Sequence, residues 1–100
     1  MNDKDFKIVL DNHTYILCKY LAGKGKIPAF SIQLIYKDVY EVARYDSKHG
    51  TPHKHEDYKR PKKTVWFHGQ PNEIVLSLGL ADLKGNYENY VDQYKRNYLR

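Results

Sequence analysis

A single cysteine, Cys18, is the whole thiol content of the 100-residue chain. It excludes an intrachain disulfide and any metal site built on several thiolates. Cys18 lies in the alternating run Tyr15-Ile-Leu-Cys-Lys-Tyr20, which reads as a strand with a buried structural thiol. No apolar run reaches 18 residues, so a membrane-spanning helix is not expected. The opening Met-Asn-Asp-Lys-Asp lacks the basic stub and apolar stretch of a signal peptide. With disulfides also absent, the expected location is the cytoplasm, without a membrane partner. The six glycines and four prolines form no linker, and there is no internal repeat or low-complexity segment. Residues 1–100 read as one domain.

Tyrosine, positive charge and histidine are what the chain has in quantity. Ten tyrosines supply about a quarter of the 41% hydrophobic content. A core built with them is small and partly amphipathic, with rings buried and hydroxyls at polar partners. The formal net charge is +5, and it is uneven. Residues 41–69 hold seven Lys or Arg against four Asp or Glu, with four of the five histidines. Residues 70–100 hold four of each sign. A local basic excess beside clustered histidine points to a polyanionic partner, RNA or DNA first.

In chain order, residues 6–10 and 15–21 read as strands, separated by turn residues Asp11-Asn-His-Thr14. Ala22-Gly-Lys-Gly-Lys-Ile-Pro28 is a basic hairpin loop in which Lys24 and Lys26 are candidate phosphate contacts. Residues 30–36 alternate, with Phe30, Ile32, Leu34 and Tyr36 on one face. Residues 39–45 return as the partner strand, with Tyr40, Val42 and Arg44 on one face and Glu41, Ala43 and Tyr45 on the other. Residues 64–68 read as the last strand, and Asn72 as the N-cap of a helix over 73–98. Leu76, Leu80, Leu83, Tyr87, Tyr90, Val91, Tyr94 and Tyr98 form its apolar stripe, and Gly85-Asn86 marks a place for a kink. The expected class is α+β, an antiparallel sheet of four or five strands under one long C-terminal helix.

The segment Arg44-Tyr-Asp-Ser-Lys-His-Gly-Thr-Pro-His-Lys-His55 reads as a functional loop leaving that sheet, because no core needs three histidines, an arginine and an aspartate. Two chemistries fit it. In metal-independent RNA cleavage, His53 and His55 serve as base and acid, since an imidazole titrates near working pH. Arg44, Lys48 and Lys54 then stabilise phosphate, His49 and Asp46 orient the imidazoles, and Tyr45 or Tyr58 is a proton donor or stacking surface. That reading needs no cofactor. In the alternative, His49, His53 and His55 bind a divalent metal, with Asp46 in reserve. The Lys59-Arg-Pro-Lys-Lys63 run, Arg60 included, is either a solvated turn or a track for a nucleic-acid backbone.

The pattern Arg44-Tyr-Asp-x-x-His-Gly-x-x-His-x-His, together with Asp82-Leu-Lys-Gly-Asn-Tyr-Glu-Asn-Tyr90, resembles the TumE-like toxins of prokaryotic toxin–antitoxin modules and related archaeal proteins. The resemblance covers roughly residues 30–98. It implies a toxin acting on RNA, an endoribonuclease, through Arg44, Tyr45, Asp46, His49, His53 and His55. It also implies an antitoxin partner, commonly with a helix-turn-helix domain. A homodimer is compatible with it. The competing reading is a non-catalytic module that holds nucleic acid or an acidic protein through the basic loop.

Overall fold

A computed structural model describes residues 2–99. The class is α+β, and the sheet has six strands where four or five were expected. They are β1 (Asn2–Val9), β2 (Thr14–Gly23), β3 (Lys26–Tyr36), β4 (Tyr40–Asp46), β5 (His53–Glu56) and β6 (Lys63–Trp66). Each pairs antiparallel with the next, so spatial order equals chain order, β1 to β6. Short turns suffice for such a meander, since antiparallel neighbours need no crossover. One helix, α1 (Asn72–Tyr98), lies across β3 and β4. Among the described residues no helix is long and apolar enough to cross a membrane.

The helix covers one face of the sheet, and the strands alternate accordingly. Ile16, Cys18, Ile32, Leu34 and Tyr45 point inward to meet Val75, Leu76, Leu83 and Val91 of α1. Cys18 is a buried free thiol, as its alternating context suggests. Truncating a core residue such as Ile32 or Leu83, each fully buried, costs about 2–5 kcal/mol.

Three local features depart from the sequence reading. The ladder between β3 and β4 shifts register at Leu34 and Ile35, where Leu34 faces Ala43 and Ile35 faces Glu41. Val42 is the extra residue of this bulge. The bulge reverses the alternation, so Glu41 comes to the same side as Arg44, with Oε1 3.5 Å from Nη1. Asn72 is not the N-cap. Pro71 caps without a side-chain bond, and the Asn72 amide instead donates to the Ile27 and Pro28 carbonyls at 2.9 and 3.2 Å, tying the helix start to β3. The helix also runs through Gly85 as a single element.

At Gly79 the helix packs directly against the sheet. A Cβ there would lie 2.8 Å from Ile32 Cδ1 and 2.9 Å from the Tyr45 ring. Only hydrogen fits. At the other end, Asn97 donates to the Tyr58 carbonyl at 2.8 Å and Tyr98 to the Lys59 carbonyl at 2.6 Å. These bonds dock the β5–β6 connection on the last turn of α1.

Candidate functional site

The histidine-rich segment is half turn, half strand. Ser47 follows β4, and its hydroxyl accepts the Phe30 N–H at 2.9 Å. A 3-10 turn over Lys48–Gly50 reverses the chain, with His49 and Gly50 at φ 69° and 86°. The chain then re-enters the sheet as β5, with Asp46 opposite His53 and Arg44 opposite His55. A period of two sends His53 and His55 to the open face and Lys54 and Glu56 under the helix.

On the open face three ligating side chains converge, Asp46, His53 and His55. His53 Nε2 lies 3.0 Å from Asp46 Oδ1 and 3.1 Å from His55 Nε2. His55 Nε2 lies 3.9 Å from Asp46 Oδ2. His53 Nδ1 is 2.8 Å from the Thr51 carbonyl oxygen, which can only accept, so Nδ1 donates there and Nε2 is the ring nitrogen turned toward Asp46 and His55. His55 Nδ1 is 3.5 Å from the Thr64 hydroxyl. Burial first, then the Arg44 guanidinium, hold His55 below the usual histidine pKa. Two imidazole nitrogens and a carboxylate at this range repel unless a cation or proton lies among them.

The cluster is nearly closed from solvent at His53, 2% exposed, and more open at His55. Trp66, across the ladder from His53, covers it with ring centroids 4.5 Å apart. Arg44 Nε sits 2.8 Å from Asp46 Oδ2 but its N–H is not aimed at that oxygen. The contact is an ion pair that leaves a buried donor without an acceptor. Beside it an open groove of about 500 Å³ runs between β3 and the turn, lined by Ser31, Arg44, Asp46, Ser47 and Lys48 among others.

Other expected participants lie elsewhere. His49 is exposed on the 3-10 turn, outside the cluster, and Asp46 takes the third position that the metal reading gave to it. Lys54 is on the opposite face from the histidines, 7% exposed, and cannot reach what they bind. Its ammonium donates to the Tyr90 and Tyr58 hydroxyls at 3.0 and 3.1 Å and lies 3.0 Å from Asp82 Oδ2. Burial alone would lower its pKa, but the bonds to Tyr90 and Asp82 outweigh it and the net shift is upward. Tyr45 and Tyr58 are buried on the same face and bonded to Asp82 Oδ2 at 2.6 Å and Glu56 Oε2 at 2.7 Å. Burial and these carboxylates raise both phenol pKa values far above normal, which removes them as proton donors. Lys24 and Lys26 are at the tip of the β2–β3 hairpin, and Lys26 is five residues along β3 from Ser31, the partner of Asp46. At roughly 3.3 Å per residue that is about 16 Å from the cluster. Arg60 turns to the helix, with Nη1 3.3 Å from the Asn97 carbonyl.

The chain is thus a small α+β protein with a two-histidine, one-carboxylate cluster on an open sheet face. It belongs to the family described as domain of unknown function DUF7718, whose profile matches residues 1–99. No curated protein and no solved structure matches it.

Proposed function

We propose that this protein is a small RNA-acting hydrolase whose centre is a divalent metal ion held by His53, His55 and Asp46. The observation that carries the reading is the convergence of two imidazole nitrogens 3.1 Å apart on the Asp46 carboxylate, with one ligating atom from each residue within 4.8 Å of the others. Metal–ligand bonds of about 2.0–2.2 Å set neighbouring ligand atoms roughly 3–3.5 Å apart, the spacing found between His53 Nε2 and both Asp46 Oδ1 and His55 Nε2. Two histidines and one carboxylate leave coordination positions open for water and substrate, as in catalytic rather than structural sites. The Thr51 carbonyl fixes the His53 tautomer, the usual arrangement behind a metal-ligating imidazole.

The same distances argue against His53 and His55 as a free base and acid. A phosphate between them would need a hydrogen bond of about 2.6–3.2 Å on each side, which nitrogens 3.1 Å apart do not allow. The histidines therefore hold the ion. When bound, such an ion supplies Lewis acidity toward a phosphoryl oxygen and lowers the pKa of water. Arg44, whose side chain is one-third exposed, and Lys48 line the groove and would take phosphate oxygens. In hydrolysis, water oxygen adds to phosphorus, one P–O ester bond breaks and the leaving oxygen takes a proton. The TumE-like pattern adds a biological role to this proposal, a toxin restrained by an antitoxin protein.

The test incubates the purified protein with structured and unstructured RNA, with and without EDTA, beside the His53→Ala/His55→Ala variant. Cleavage that stops in EDTA, returns with a divalent ion and is missing from the variant is expected. Cleavage that survives EDTA overturns the metal role. RNA bound but never cleaved makes the protein a binding module.

A further inference from the structure

Four rings form a continuous row across the open face. His55 and His53 centroids are 4.7 Å apart, His53 and Trp66 4.5 Å, and Trp66 and His68 6.2 Å. The row starts in the buried cluster and ends in solvent, since Trp66 is 47% exposed and His68 is exposed. Trp66 is the chain's sole tryptophan. It sits on the edge strand β6, every residue of which is exposed. One side of the indole covers His53, and Trp66 and His68 lie nearly parallel, 20° apart. A large aromatic left half in water beside a cluster of ligating groups contributes little to the core, which lies on the other side of the sheet.

We propose that Trp66 and His68 form a stacking platform for an unpaired nucleobase, which makes single-stranded RNA the substrate class. This rests on the hydrolase reading above and adds to it a binding subsite. The face divides by chemistry. Arg44 and Lys48 border the groove on one flank of the cluster, and the indole and imidazole stand on the other. A nucleotide matches that division, its phosphate meeting cations and the metal-ligating triad while its base lies flat on Trp66. Single-stranded RNA offers such bases, because they are not committed to a helix and stack on aromatic and imidazole rings. A net charge of +5 favours the polyanion further. A duplex, its bases covered on both faces, has nothing to lay on the platform.

The experiment measures binding of two labelled strands by fluorescence anisotropy in EDTA. One is a 2′-O-methyl hexaribonucleotide, and the other is the same backbone with abasic spacers. Indole emission from Trp66 is followed in parallel. The base-bearing strand should bind about tenfold tighter than the abasic one and quench Trp66, the gain expected for a stacked base. Trp66→Ala should erase the difference while leaving abasic binding unchanged, and Trp66→Phe should keep most of it. Circular dichroism of Trp66→Ala checks that the exposed substitution leaves the fold intact. Equal affinity of wild-type protein for the two strands overturns the platform and leaves the hydrolase reading standing. Failure of wild-type protein to bind either strand, in EDTA and again with a divalent ion restored, overturns both.

Discussion

Replacing Lys54 by Met should destabilise the protein and loosen the proposed metal centre, although Lys54 touches neither His53 nor His55. Its ammonium is held by Asp82, Tyr58 and Tyr90 at 3.0–3.1 Å, with Glu56 at 3.5 Å. Asp82 also accepts from Tyr45 and Tyr90 at 2.6 Å and from Asn86 at 2.8 Å. One helical carboxylate thus binds the residue between Arg44 and Asp46 on β4 and the residue between His53 and His55 on β5. That clamp fixes the two strands relative to each other, and so the spacing of the three ligands on the far face. Lys54 and Asp82 side chains are only 8% and 16% exposed. Removing one partner of such a pair costs about 3–5 kcal/mol, because the other charge stays buried without a mate. Metal affinity should fall about 10–100-fold, the usual effect of losing a group that supports the ligands from behind. Urea unfolding followed by circular dichroism gives the first quantity and calorimetric titration the second. Lys54→Met/Asp82→Asn removes the stranded charge and keeps an acceptor oxygen for one of Tyr45 and Tyr90 while its amide N–H can donate to the other hydroxyl, so it should recover about 1 kcal/mol or more. A cost below about 1 kcal/mol for the single change, or a double variant no better than the single, would refute the clamp.

Gly79→Ala should destabilise by about 1–3 kcal/mol, because the added methyl meets Ile32 at 2.8 Å and the Tyr45 ring at 2.9 Å. Thermal melting checks it, and a shift no larger than that of Gly85→Ala, where nothing lies within 4 Å, contradicts the close packing. The carboxylates under the helix should make stability pH-dependent in acid. Burial acts to raise the Asp82 and Glu56 pKa values, but hydrogen bonds from Tyr45 and Tyr90 to one and from Tyr58 and Lys59 to the other outweigh it, and both end below their ordinary 3.8 and 4.5. A depressed folded pKa gives stability that is complete above the unfolded value and lost as pH falls through the folded one. Urea midpoints should therefore decline below about pH 4.5, and Asp82→Asn should flatten that decline.

The strands and helix that bury apolar residues were legible in the sequence. Phe30, Ile32, Leu34 and Tyr36 announce β3, and leucines and tyrosines at three- and four-residue spacing announce α1, because burial imposes the period on apolar side chains. β5 was not legible. His53-Lys54-His55-Glu56 alternates like any strand, but both of its faces are polar, one for the cluster and one for the buried Lys54–Asp82 network, so no hydrophobic period exists to be seen. Once β5 is taken for loop, the rest follows. Lys54 joins its neighbours as a phosphate ligand when the pleat sends it through the sheet, and the pairing of Trp66 with His53 goes unnoticed. The bulge at Val42 hid the approach of Glu41 to Arg44 in the same way. Asp46, His53 and His55 were singled out by residue type alone. Which pair with which depended on register, and the turn that carries His49 away from them has no signal beyond Gly50.

The most direct test of the metal centre is titration of EDTA-treated protein with Co²⁺, followed by visible absorption and by quenching of Trp66, whose ring lies 4.5 Å from His53. The account predicts one ion per chain, a d–d spectrum of nitrogen and oxygen ligation, competition by Zn²⁺ and loss of binding in His53→Ala, His55→Ala and Asp46→Ala, with His49→Ala unchanged. Binding that persists in those three variants, or wild-type protein that takes up no ion while remaining folded, would contradict it.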